Sequence, residues 1–299
     1  MSLNLRGVVP PVATPFDQNE DLDLAALKRN IAAWNATDLG GYLVLGSNGE
    51  SGYLSEAERE AAIAAAAEAM APGKFLMIGT GLESTRHTIA FTRRAAGLGA
   101  DCALVLSPCY YKPQMTPAAL EAHYLKVAEA APIPILVYNV PQFTGVNLPA
   151  AMVARLSRHA NIVGCKDSSG NIAQLTDIIR LSEAGFAVFV GSGVAFYPAL
   201  CVGAVGGILA IANVFPQMCT AIQAAFAAGD HARALVLQQR LMTFGVMVTS
   251  GLGVAGLKHA MNLVGYQGGL PRSPLAPPAD LGPLEAEMDK LKDFWPSAL

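Results

Sequence analysis

Eight short apolar segments recur along the chain at intervals of about thirty residues, and stretches of helical pattern fill the gaps between them. The segments are Gly7–Ala13, Gly41–Leu45, Phe75–Gly79, Cys102–Ser107, Ile135–Asn139, Ile162–Lys166, Ala187–Gly191 and Gly207–Ala210. Most are apolar throughout rather than alternating, as parallel strands covered on both faces must be. One strand and one helix need about thirty residues. Eight such units by about residue 215 therefore predict an α/β fold, a closed (β/α)8 TIM barrel rather than an open sheet.

The helices carry their own start signals. Ser55-Glu-Ala-Glu58 is a capping box that opens an alanine-rich run to Met70, and Thr116 followed by Pro117 sets a cap before a first-turn proline. Leu22–Asn35, Ser84–Gly97, Pro149–His159 and Asn171–Glu183 have helical length and amphipathic spacing. Beyond the eighth strand the helical pattern continues over Pro216–Ala228, His231–Val248, Val254–Val264 and Leu284–Phe294. This predicts a barrel over residues 1–225 and a C-terminal helical extension over residues 226–299 packed upon it.

Ala184 to Gly229 is a run of 46 residues without Asp, Glu, Lys or Arg, which superficially suggests a membrane span. Its repeated glycines, with Pro198 and Pro216, instead predict a buried strand–helix–strand–helix stretch with an apolar face available to a neighbouring subunit. The net charge of −3 and the scattered 20 basic residues give no sign of a nucleic-acid or membrane-surface partner. Met1 to Gly7 lacks the apolar stretch of a signal peptide. The five cysteines form no CxxC pair and the histidines no metal-ligand spacing, so free buried thiols in a reducing cytoplasm are expected, with no disulfide and no zinc.

Barrel enzymes draw their reactive groups from the C-terminal ends of the strands. Lys166 ends the apolar run Ile162-Val-Gly-Cys-Lys. An amine held in a desolvated mouth is disfavoured in its charged form, and a neutral amine is what attacks a ketone. The other reading of Lys166 is an ion pair with Asp167 or another rim carboxylate. Tyr138 ends the preceding strand and so stands beside Lys166, where a phenol can move protons; a buried tyrosine with a satisfied hydroxyl is the plainer reading. Gly46-Ser47-Asn48-Gly49 forms a tight strand-to-helix loop whose amides and Ser47 hydroxyl suit a carboxylate, although short glycine loops are commonly only turns. Gly191–Gly193 and Gly203–Gly207 could equally form the phosphate site that many barrels carry.

At these residues the chain resembles the dihydrodipicolinate synthase/N-acetylneuraminate lyase superfamily of class I pyruvate aldolases. Gly46-Ser-Asn-Gly-Glu50, Tyr138-Asn-Val-Pro141 with Thr144-Gly145, and Gly164-Cys-Lys-Asp167 carry the resemblance, which runs from about Gly7 to about Pro274. It implies that Lys166 forms a Schiff base with pyruvate and that Tyr138 is the general acid/base. It implies that Ser47 and Asn48, with Gly49 in the same loop, bind the pyruvate carboxylate. Ser47 would also pass protons to Tyr138, and Tyr110, which keeps the family interval from the glycine loop, with Tyr111 the adjacent alternative, would complete that relay in the neighbouring subunit of a homotetramer built from tight dimers. Gly191 and Ile208 would line the pyruvate pocket, and Ser168 would hold a distal group of the substrate. Neither a metal nor an organic cofactor is implied.

The resemblance also separates the family's branches. Dihydrodipicolinate synthases place an arginine after the tyrosine motif to grip the incoming semialdehyde; here Phe143 stands there, and a phenyl ring cannot bind a carboxylate bidentately. Gly46-Ser-Asn-Gly-Glu50, Glu83-Ser-Thr85, Pro108-Cys-Tyr-Tyr111 and Gly256-Leu-Lys258 through Gly265-Tyr266 are similar to the 4-hydroxy-2-oxoglutarate aldolase branch. The expected reaction is cleavage of a 4-hydroxy-2-oxo acid to pyruvate and an aldehyde such as glyoxylate. The alternatives are dihydrodipicolinate (4-hydroxy-tetrahydrodipicolinate) synthesis and cleavage of a 2-keto-3-deoxy sugar acid. A non-catalytic barrel that senses a 2-oxo acid would have shed Lys166 or Tyr138, and both are present.

Overall fold

The computed structural model of the protein describes residues 3–296; residues 1, 2 and 297–299, part of the Met1–Gly7 stretch and of the expected extension, lie outside it. Eight parallel strands run in the order β1-β8-β7-β6-β5-β4-β3-β2, where β1 is Gly7–Val9, β2 Gly41–Val44, β3 Phe75–Gly79, β4 Cys102–Leu106, β5 Ile135–Asn139, β6 Ile162–Asp167, β7 Ala187–Val190 and β8 Gly206–Ile208. β1 and β2 close the ring through Gly40 N–H donating to the Val8 carbonyl and Leu43 N–H to that of Pro10. β1 is shorter than expected for a physical reason: Pro10 and Pro11 have no amide to give the ladder, and beyond them only a single bridge joins Pro11 to Leu43.

The helices between strands are α1 (Leu24–Trp34), α2 (Glu56–Ala69), α3 (Thr85–Gly97), α4 (Pro117–Ala130), α5 (Pro141–Thr144), α6 (Ala150–Leu156), α7 (Ile172–Leu181) and α8 (Phe196–Cys201). Ser55 and Glu58 make the reciprocal bonds of the capping box, and Thr116 caps α4. α9 (Pro216–Ala227), α10 (His231–Val246), α11 (Gly253–Leu263) and α12 (Gly282–Asp289) follow the last strand. Where one helix was expected over His231–Val248, a π-helical turn, Met247–Gly251, joins α10 to α11. The helix expected over Leu284–Phe294 breaks after Asp289 and resumes only as a 3-10 turn at Lys292–Phe294.

Two apolar cores result. The larger lies between the sheet and the helices; the smaller fills the barrel, where Val9, Leu43, Met77, Leu104, Leu136 and Phe189 meet. The uncharged stretch from Ala184 supplies β7, α8, β8 and α9, most of it buried, and no helix among the described residues is long and apolar enough to cross a membrane. Gly206 and Gly207 lie within β8, packed against Gly7 and Leu209 rather than forming an open phosphate loop. All five cysteines are free, although Cys201 is exposed and Cys109 half-buried.

Candidate active site

The register of the sheet builds the centre of the site. β5 and β6 pair so that Tyr138 stands opposite Lys166, and both side chains are buried at the barrel mouth. The Lys166 amine lies 4.4 Å from the centroid of the Tyr138 ring. The Tyr138 hydroxyl in turn lies 3.5 Å from Ser47 Oγ, which joins the Gly46–Gly49 loop to the pair. Asp167 is not the lysine's partner. Its carboxylate accepts from Asn139 Nδ2 at 2.8 Å, Gln174 Nε2 at 2.9 Å and the Ser169 amide at 3.0 Å. No carboxylate among the described residues comes within ion-pair distance of Lys166. The adjacent thiol of Cys165 is fully buried, and burial holds it well above the usual thiol range, so it stays protonated and unreactive.

Gly191 and Ser168 press on the lysine from the other side. A β-carbon at residue 191 would overlap Ser168 Oγ and fall 2.9 Å from Lys166 Cε, so only glycine leaves the lysine chain its place. Ser168, 8% exposed, follows β6 with its amide bonded to the Asn139 carbonyl. Ile208 ends β8, is fully buried, and belongs to the interior core that contains Tyr138.

The loop after β2 consists of two successive 3-10 turns, Ser47–Gly49 and Ser51–Tyr53, hinged at Glu50. Leu45 and Glu50 both take the left-handed conformation, with φ of 61° and 52°. That region is costly for side chains of this size and persists only where surroundings enforce it. Thr14, beyond β1, donates to the Gly49 carbonyl at 2.7 Å. Glu50 is buried and ion-paired with Lys258 of α11 at 2.5 Å. Burial brings the Lys258 ammonium down to about 8, opposed by the Glu50 charge.

A cavity of about 770 Å³ opens from this loop towards the extension. Ser47 and Asn48 form one wall; Val248, Thr249 and Leu252, from the π turn and its end, form another; Phe143 of α5 and Ser107 also line it. Lys166 and Tyr138 do not, so the cavity meets that pair through Ser47, whose hydroxyl lies beside the Tyr138 phenol. The wall built by the extension escaped the sequence reading. A helical pattern there gave no local signal of a π turn facing the site.

Tyr110 is not brought to the centre within the protomer. Its ring is 77% exposed and packs edge-on against Tyr111, 5.0 Å between centroids. The Glu83 carboxylate fixes the backbone beneath it, accepting from the amides of Cys109 and Tyr110.

A parallel eight-stranded barrel with a buried lysine at a strand end, beside a tyrosine and a hydroxyl-bearing glycine loop, is an arrangement able to support carbonyl chemistry. The model of the dihydrodipicolinate synthetase family matches residues 4–289, and the chain belongs to that family. It is 37% identical over 276 residues to a 4-hydroxy-tetrahydrodipicolinate synthase of Methanothrix thermoacetophila, covering 92% of each chain. It is 34% identical over 278 residues to a probable mitochondrial 4-hydroxy-2-oxoglutarate aldolase of Emericella nidulans, covering 91% of this chain and 90% of that one. Among solved structures it is similar to YagE, a prophage protein of the dihydrodipicolinic acid synthase family from E. coli K12 in complex with pyruvate. That likeness has a TM-score of 0.88 and 30% identity over 97% of this chain and 98% of that one. The family resemblance and the barrel are thus borne out. The relatives' names favour the synthase alternative over the expected cleavage of 4-hydroxy-2-oxoglutarate.

Proposed function

We propose that the protein is a class I pyruvate-dependent aldolase that holds pyruvate as a Schiff base on Lys166 and makes or breaks a bond at its third carbon. The contact between the buried Lys166 amine and Tyr138, with Ser47 Oγ near the phenol, supports the reading. Lys166 attacks the 2-oxo carbon; proton transfer through Tyr138 and loss of water leave a protonated imine. That cation draws electrons from the adjacent C3–H or C3–C4 bond and gives an enamine, avoiding a free enolate. The amides of Ser47 and Asn48 and the Ser47 hydroxyl hold the carboxylate, and Ser168 and Gly191 shape the space around the lysine. Tyr110 completes the proton relay in a second copy of the chain, and its exposure fits that role.

Two readings of the second substrate rest on different observations. The relatives' names support condensation with aspartate semialdehyde. Phe143, 61% exposed on α5, cannot make the bidentate grip of the arginine that the synthases place there, which speaks against the semialdehyde and leaves cleavage of a 4-hydroxy-2-oxo acid such as 4-hydroxy-2-oxoglutarate as the other reading. Turnover of the two substrates measured side by side decides between them. The shared chemistry is tested without either aldehyde. In D2O the enzyme is expected to exchange the methyl protons of pyruvate through the enamine, and exchange no faster than in buffer would contradict the proposal.

A further inference from the structure

Glu50 and Lys258 have no part in the steps above, yet they form a buried ion pair whose side chains are each 1% exposed. Lone buried charges are strongly disfavoured, so each holds the other in place. The pair joins distant parts of the chain. Glu50 is the left-handed hinge between the two turns of the loop after β2, and Lys258 belongs to the extension. Glu50 Oε2 also accepts the Arg272 amide at 2.9 Å, while Lys258 donates to the Leu270 carbonyl at 2.7 Å. The Arg272 guanidinium reaches the Tyr53 carbonyl at 3.0 Å, at the end of the second turn, and Glu58 in α2 at 2.6 Å. Phe16 packs against both cations, 4.3 Å from Lys258 Nζ and 4.1 Å from Arg272 Cζ. The hinge is thus fixed through its side chain, in a conformation its backbone alone disfavours.

We propose that Glu50 and Lys258 are positioning residues: the extension, acting through this pair, sets the aim of the Ser47–Gly49 amides and hydroxyl at the substrate carboxylate. The inference rests on the reading that this turn receives pyruvate. Loss of a pair serving only to fasten the extension would lower the melting temperature and leave pyruvate affinity alone. Loss of a positioning pair raises the pyruvate concentration needed and leaves chemistry at saturation largely intact.

The test measures reductive trapping of pyruvate against its concentration in the wild type, Glu50→Gln and Lys258→Met. Leu284→Ala, which cuts into the buried side of α12 in the same extension, serves as the control for lost stability. Both pair variants are expected to half-saturate at about tenfold more pyruvate, with trapping at saturation retained and the control unmoved. A wild type that traps nothing refutes the parent reading. A wild type that traps, with both variants half-saturating within about twofold of it and of the control, overturns this inference alone. If a pair variant does not fold, amide exchange in the wild type carries the test. Pyruvate is expected to slow exchange at Arg272 together with Gly49 and Glu50, and slowing confined to the turn overturns the proposal.

Discussion

Gly191→Ala isolates the packing that holds the lysine. The backbone at residue 191 is not in the left-handed region, so alanine fits it, unlike Gly145 with φ of 65°. Whatever the substitution costs therefore arises from the new methyl group. That methyl overlaps Ser168 Oγ and stands 2.9 Å from Lys166 Cε, where ordinary contact needs 3.4 Å or more. Ser168 can rotate its hydroxyl, but its β-carbon would also lie only 2.8 Å away, so the lysine chain must yield as well. Relief needs a shift on the order of 0.5–1 Å at the amine, and a misplacement of that size costs about 10²-fold in a reaction set by geometry. The assay is the pre-steady-state rate of adduct formation, with circular dichroism and melting as controls for the fold. A rate within about threefold of the wild type in a folded variant would refute the reasoning, because the amine would then tolerate displacement.

Three further outcomes follow from the same geometry. Tyr138→Phe should slow turnover by about 10²-fold or more while keeping the ring beside Lys166, and a loss under tenfold would deny the phenol a proton-transfer role. Phe143→Arg should raise turnover with aspartate semialdehyde relative to 4-hydroxy-2-oxoglutarate, and an unchanged ratio in parallel assays would remove residue 143 as a specificity determinant. Burial holds His123 neutral and brings it down to about 4, so the unfolded chain binds the extra proton between pH 6.5 and 4. Stability should therefore fall with pH across that window by about 3 kcal/mol, and His123→Gln should flatten the fall in denaturant titrations.

The barrel was legible because its signals are local. Unbroken apolar runs such as Ile135–Asn139 and Phe75–Gly79 coincide with strands to the residue, and the Ser55 and Thr116 caps mark helix starts. Lys166 and Tyr138 could be placed side by side because consecutive strands of a parallel barrel pair in register. What escaped depends on distant contacts. The four residues of α5 and six of α8 are too short for a periodic pattern, and the π turn lies inside an unbroken helical one. The left-handed Leu45 and Glu50 have no glycine to announce them. The partnership of Glu50 with Lys258 joins residues 208 positions apart that no local motif connects.

Reductive trapping followed by peptide mapping addresses the central claim most directly. Incubated with pyruvate and cyanoborohydride, then digested and weighed, the protein should carry one pyruvate-derived adduct, on the peptide containing Lys166, and none in Lys166→Met. An adduct on a different lysine, or no adduct at saturating pyruvate, would contradict the account.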